Sequence, residues 1–275
     1  MLMVAGAAVF LALRPPYQVR QFRQGLADYK AAHYDSALQS LNASLDADPR
    51  QSEALIARAR VYQRKGKIQM AFTDYDAADK LAPSPSLAAG KGYCSSQLGQ
   101  DKPAVEYFRR ALDGGYDSPV VLNDLGYSLL QRGRLDEAED CLRRALQADD
   151  TLQAAHHNLV VIHLQRALAG KAIPAEAFNH ASRASEIGPK SGELCRNLAL
   201  FYGMAAKQDA AWTQSALDYV AQAVAHGIDP QSLQSEAVFT GMAKDSALHD
   251  AITPRGTPQG PVEAVRVIDP ADEPR

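Results

Sequence analysis

Small and large apolar residues alternate at helical spacing through the middle of the chain, and the arrangement itself returns about every 34 residues. Four segments superimpose: GLADYKAAHYDSALQSLNASLDADP from Gly25, ARVYQRKGKIQMAFTDYDAADKLAP from Ala59, GYCSSQLGQDKPAVEYFRRALDGGY from Gly92 and GYSLLQRGRLDEAEDCLRRALQADD from Gly126. Ala37, Ala71, Ala104 and Ala138 then coincide; Leu41, Tyr75, Phe108 and Leu142 follow, and after them Ser44, Ala78, Ala111 and Ala145. A small residue at i and i+7 lets two helix backbones approach closely, and the large residue between them fills the adjoining hole. Gly25, Ala59, Gly92 and Gly126 supply the matching small surface on the preceding helix. Ala32, Gly66, Gly99 and Gly133 mark the turn between the two helices, and Pro49 and Pro83 stop the second one by removing a donor. The pattern predicts helical hairpins in tandem.

Two further pairs follow with longer turns. Ala177, Ala181, Ala184 and Pro189 repeat the second-helix pattern, as do Ala216, Val220 and Ala223. Residues 154–169 are expected to pair with 175–187 across GKAIP, and 192–205 with 212–226 across AKQDA. Asp229-Pro230 then starts one or two short amphipathic helices with Leu233, Phe239, Leu248 and Ile252 as core contacts, placed to cap the exposed end of an array. The period and the alanine, aromatic and proline series resemble the tetratricopeptide-repeat (TPR) family. Departures are the missing bulky aromatic early in the first helix, and Tyr116 and Asp150 in place of the terminal proline. The resemblance implies an all-α fold, an α-solenoid of about six helix hairpins with a C-terminal capping helix. The array is expected over 17–229, with repeats near 18–51, 52–84, 85–118, 119–152, 153–190 and 191–229. Capping helices over 230–252 and a flexible, proline-rich tail over 253–275 complete the chain.

Composition narrows the class. With 46% apolar and 22% charged residues the chain should fold and dissolve. The formal charge of -3 comes from 29 basic and 32 acidic residues spread along the length, so no broad basic face tracks phosphates and nucleic acid is not an expected partner. Cys94, Cys141 and Cys195 are too scattered for a disulfide framework or zinc knuckle and read as small buried residues. The stretch 1–13, MLMVAGAAVFLAL, is uncharged and ends at Arg14-Pro15-Pro16. Thirteen helical residues cover roughly 20 Å, short of the roughly 30 Å hydrocarbon core. No basic residue precedes the stretch and no cleavage site follows, as a secretory signal requires. It is expected to belong to a longer transmembrane helix beginning before Met1, or to be an apolar helix packed on the first repeat. Arg14, Arg20 and Arg23 would favour the cytoplasmic side for the remainder, so the expected location is membrane-associated or cytoplasmic.

Catalytic spacings are not found. GKGYC around Lys91 lacks the other residues of a phosphate-binding loop, and no zinc-protease, nucleophile-elbow or dinucleotide motif occurs. His156 and His163 share a helix face two turns apart, too distant to ligate a metal without partners from another helix, so neither metal nor cofactor is expected. In TPR proteins the first helix of each pair lines the concave face. That role falls here on Arg60, Arg64, Tyr93, Gln97, Asn123, Tyr127, Gln131, His157, Val161 and Gln165. Asn and Gln bond both polarities of an extended backbone, Tyr gives rigid apolar area with a polar tip, and Arg grips carboxylates. Any one of these residues alone reads equally well as an ordinary solvated face. Phe22 and Leu26 occupy the first repeat's groove positions, which speaks against a carboxylate clamp there. The expected function is a noncatalytic scaffold for a protein or peptide bearing an acidic segment, with membrane anchoring through 1–13. The alternative is the accessory repeat region of a larger membrane-anchored enzyme such as a bacterial protein kinase.

Overall fold

The computed structural model describes residues 15–239 and 246–253; the apolar stretch 1–13 and the tail beyond Thr253 lie outside the described residues. The fold is all-α, an α-solenoid of consecutive helix hairpins, with no strand among the described residues. These form two compact units that divide at Asp124 and Leu125. The first unit holds α1 (Tyr17–Lys30), α2 (Tyr34–Ala47), α3 (Ser52–Arg64), α4 (Ile68–Leu81), α5 (Pro85–Gln97) and α6 (Asp101–Asp113). The division falls inside α7 (Pro119–Gln131). The second unit continues with α8 (Leu135–Ala148), α9 (Gln153–Leu168), α10 (Ala175–Glu186), α11 (Gly192–Ala206), α12 (Thr213–Ala225), α13 (Pro230–Gln234) and α14 (Ser246–Ile252).

In the first unit α1 packs on α2, α3 on α4 and α5 on α6, and α2–α3 and α4–α5 join one hairpin to the next. Each pair closes on the small-against-large contact. A methyl group added to Gly25 would stand 2.6 Å from Leu41 Cγ, and one on Gly92 would stand 2.7 Å from the Phe108 ring. The middle hairpin has Ala59 and Tyr75 at these places. The Tyr75 ring leans over Gly90 of the next hairpin, where an added methyl would come within 3.0 Å of Cζ. Its hydroxyl donates to Gln63 Oε1 at 2.9 Å, so the buried phenol is satisfied. The turns at Ala32, Gly66 and Gly99 all have left-handed backbone, with φ of 58°, 68° and 69°. Ala32 adopts it at a cost of about 1 kcal/mol, because its Cβ crowds the following carbonyl.

Charged groups tie neighbouring hairpins. Arg58 of α3 forks onto Asp74 of α4 at 2.7 and 2.8 Å and reaches back to Asn42 of α2 at 2.8 Å. Lys91 is buried on α5, held by Asp76 at 2.6 Å and Asp79 at 3.3 Å, with the Phe72 and Tyr107 rings over its ammonium. Asp79 also accepts from Arg110 of α6. These groups answer the desolvation of Lys91 with a full set of partners.

In the second unit Gly126 meets Leu142 as Gly25 meets Leu41, with an added methyl 2.7 Å from Cγ. Asp150 takes the place of the terminal proline, and the turn is held instead by Asp149, whose carboxylate accepts from the Thr151 N–H at 2.9 Å and hydroxyl at 2.6 Å. Helix α9 packs on both α10 and α11, and α11 packs on α12. A short 3-10 turn, Ala210–Trp212, leads into α12 and stacks Trp212 on Phe178 with centroids 4.4 Å apart. Asp229 caps α13 by accepting from Ser232 N–H at 2.8 Å. Leu233, Phe239 and Leu248 are fully buried, and Val238 and Phe239 press against Gly203.

Gly92→Ala should destabilise the protein. The added methyl overlaps the Phe108 ring at a cost of about 1–3 kcal/mol, partly offset by about 1 kcal/mol of helix propensity. Thermal denaturation followed by circular dichroism should show a lower melting temperature with helical content unchanged at 20 °C, roughly room temperature. An unchanged or raised melting temperature would show that the hairpin does not depend on this contact.

Candidate functional site

Helices α3, α5 and the start of α7 carry the first unit's share of the expected groove residues. Arg60 and Arg64 lie one turn apart on α3 and are half-buried, as is Tyr93 on α5, while Gln97 is exposed. Asn123 is buried and donates from Nδ2 to Asp124 Oδ1 at 3.1 Å. Burial pushes the Tyr93 phenol up to about 12; Asp124 adds to the rise and Arg64 opposes it, so these three groups share one electrostatic neighbourhood. Of the basic residues clustered in sequence around Arg60, Arg58 is bound to Asp74 and Lys65 to Asp35 at 2.5 Å. The local positive run is thus dispersed onto separate partners.

The second unit carries Tyr127, Gln131, His157, Val161 and Gln165. Tyr127, Gln131 and Gln165 are exposed, and His157 and Val161 half-buried. Asn197 of α11 donates from Nδ2 to His157 Nε2 at 3.0 Å, an assignment consistent with a ring that burial holds below its ordinary pKa and hence neutral. Asn197 extends the row by one more hairpin, and the lengthened turn before α10 hid its register from the sequence.

Two features were invisible in the sequence. The first is Asp124, one residue beyond Asn123, whose carboxyl burial pushes up to about 7 against the hydrogen bond from Asn123. The second is a histidine cluster. His180 of α10 comes to His156 of α9, with Nδ1 atoms 2.9 Å apart, and its ring stacks over His163 with centroids 6.5 Å apart. The partner helix that His156 and His163 lacked in the linear reading is therefore present. Burial lowers the pKa of all three, His180 to about 4 with its two histidine neighbours contributing, so near neutral pH they are uncharged. The thiols are buried, and burial pushes Cys94 up to about 12, which leaves it a poor nucleophile.

A family model described as tetratricopeptide repeat matches residues 22–85 and 103–152. Over 125 residues the chain is 28% identical to tetratricopeptide repeat protein 13 of Homo sapiens, which is 46% of this chain and 14% of that protein. The chain thus spans about a seventh of the length of that relative. Among solved structures it is similar to PilW, titled a widely conserved type IV pilus biogenesis factor, with 19% identity, a TM-score of 0.62 and coverage of 87% of this chain and 100% of that one. It is similar to pilF of Pseudomonas aeruginosa at 14% identity and a TM-score of 0.61, over 82% and 96% of the two chains. YrrB, titled a repeat protein with an unusual peptide-binding site, matches at 21% identity and a TM-score of 0.51, over 62% and 86%. Identities of this size show a shared fold.

The raised Asp124 carboxyl gives a pH signature. In the unfolded chain it loses its proton near its ordinary value of 3.8, but in the folded protein it keeps it to about 7. The folded state therefore binds more protons between these limits, and this group's contribution lowers stability as pH rises through the window. Part of the residue still reaches solvent, which reduces the swing below that of a dry interior. Asp124→Asn should match the wild type in melting temperature near pH 4 and exceed it above pH 7. Parallel melting curves across the range would show that the carboxyl is not held protonated.

Proposed function

Because the chain belongs to the tetratricopeptide-repeat family, we propose that it is a noncatalytic scaffold that binds an extended segment of a protein partner along the first helices of its hairpins. The observation that carries this reading is the recurrence of partly solvent-reaching polar and aromatic side chains at matched places: Arg60 and Arg64 on α3, Tyr93 and Gln97 on α5. The interlocked faces of these helices bear glycine and alanine instead. The solved structure of YrrB, with its titled peptide-binding site, supports the same use of the fold.

The chemistry favours a partner with an acidic segment. Guanidinium groups bind carboxylates through paired charge-assisted hydrogen bonds, each worth about 1.5–3 kcal/mol. Asp124 would oppose such a partner if ionised, but below about pH 7 it is protonated and can donate a hydrogen bond instead. In the second unit Tyr127, Gln131, His157, Val161 and Gln165 offer rigid aromatic area, amide groups and one apolar side chain, suited to a neutral stretch of backbone. Membrane tethering through 1–13 is part of the proposal and rests on the apolar character of that stretch. Among the described residues no helix is long and apolar enough to cross a membrane.

The double variant Arg60→Glu with Arg64→Glu should reduce partner capture at least about tenfold in a pull-down from lysate of the source organism, by the loss of two charge-assisted bonds. Circular dichroism would verify that helicity is retained. Capture at the wild-type level rejects the α3 assignment. Fractionation of the full chain should place it with membranes, and recovery entirely in the soluble fraction would remove the tether.

A further inference from the structure

His163 occupies a place in the repeat held in the preceding hairpins by Asp28, Tyr62, Ser95 and Leu129, the last three of them buried. An imidazole at 3% exposure in this slot needs a partner, yet its Nε2 is shut off from water and makes no hydrogen bond. Facing it from the two flanking helices are Glu139 of α8 and Glu176 of α10. One ring nitrogen of His163 and one oxygen of each carboxylate all lie within 4.8 Å of one another.

We propose that Glu139, His163 and Glu176 form a divalent-cation site, best suited to Zn2+, that ties α8, α9 and α10 together. Two carboxylates and one imidazole are a borderline-hard ligand set, and among divalent first-row metals other than copper, Zn2+ combines high affinity for such sets with tolerance of four-coordinate geometry. Three protein ligands leave the fourth position for water. Tetrahedral bonds of roughly 2.0–2.2 Å require ligand atoms roughly 3.3 Å apart, so the groups must close by at most about 1.5 Å. Glu176 has a side chain 50% exposed and is free to supply that movement.

Two arginines share these carboxylates. Arg143 bridges Glu139 at 2.6 Å and Glu176 at 2.7 Å, and Arg166 holds Glu139 at 2.5 Å and Asp136 at 2.6 Å. Arg143 is 47% exposed, and an ion pair so open to water contributes little, so its guanidinium can turn outward when a cation enters. Arg166, more enclosed, stays on Glu139 and orients it, the service that outer-shell partners give to metal ligands. With Arg143 released, the two ligand carboxylates match the double charge of the ion.

Titration of the full chain with zinc chloride by calorimetry should give one ion per chain, and cobalt(II) should give the intense visible absorption of a tetrahedral site. Glu176→Gln should weaken zinc binding at least about tenfold, while Arg143→Ala, which removes the competing cation, should strengthen it. Both positions are half-exposed, so neither change threatens the fold. No binding by the wild type overturns the proposal, as does an unchanged affinity in Glu176→Gln. A loss seen in His180→Gln but not in Glu176→Gln would move the ion to the His156–His180 pair and overturn it equally.

Discussion

The approach of two helices at a glycine or alanine is the constraint from which the rest follows. Where Gly25, Gly92 and Gly126 face Leu41, Phe108 and Leu142, no room remains for one more carbon. The large side chain then fills the hole that the small one leaves, and burying it contributes about 1.5–3 kcal/mol per hairpin. A hairpin closed this way has a second apolar surface that it cannot bury alone, so it takes the next hairpin as its core. The contact that makes one hairpin also demands its neighbour.

This explains how much was legible in advance. The close approaches demand particular residue types at fixed spacing, so Gly25, Gly92, Gly126 and the turns at Gly66, Gly99 and Gly133 were readable from the letters. Left-handed φ at those turns, and at Ala32, follows from the same requirement. The first-helix residues that share a face could be named for a related reason, since register fixes which side chains lie together. What the letters did not carry was anything decided by three helices at once. Asp124 has a raised pKa because of what surrounds it, and nothing in the run VLNDLG distinguishes it from an ordinary surface carboxylate. His180 and Glu176 sit on a helix whose pairing with 154–169 was legible, but which of its polar side chains reach His156 and His163 depends on three-dimensional packing that spacing does not give. Lys91, in a GKGYC run that lacks the other residues of a phosphate-binding loop, is an ammonium enclosed by Asp76, Asp79 and two rings, an environment the letters did not announce.

The two kinds of polar residue divide the labour between scaffold and surface. Buried or half-buried charges such as Arg58, Lys91 and Arg166 find partners across helix junctions. Several Gln and Tyr side chains on the first helices keep part of their surface toward solvent, as Tyr127, Gln97 and Gln165 show. Much of the charge in this protein is therefore structural, and the near balance of 29 basic and 32 acidic residues fits its use in pairs.

That use of charge answers a problem inherent in repeats. Apolar interfaces built from the same small and large residues are nearly interchangeable, so hydrophobic burial alone does not tell one hairpin which neighbour is its own. The ion pairs do. Arg110 reaches the enclosed Asp79 across 31 residues and Arg166 the enclosed Glu139 across 27, close to one repeat, whereas Lys65–Asp35, Arg166–Asp136 and Arg143–Glu176 lie open to water and add little. Their identities differ from junction to junction: a bidentate arginine and asparagine at α2–α3–α4, an enclosed lysine at α4–α5, a carboxylate shared by two arginines at α8–α9. A slip by one repeat would preserve most apolar contacts yet strand a buried charge at a junction without its counterpart, which costs several kcal/mol. The net gain from each correct pair is small, and its value lies in making the wrong stacking worse.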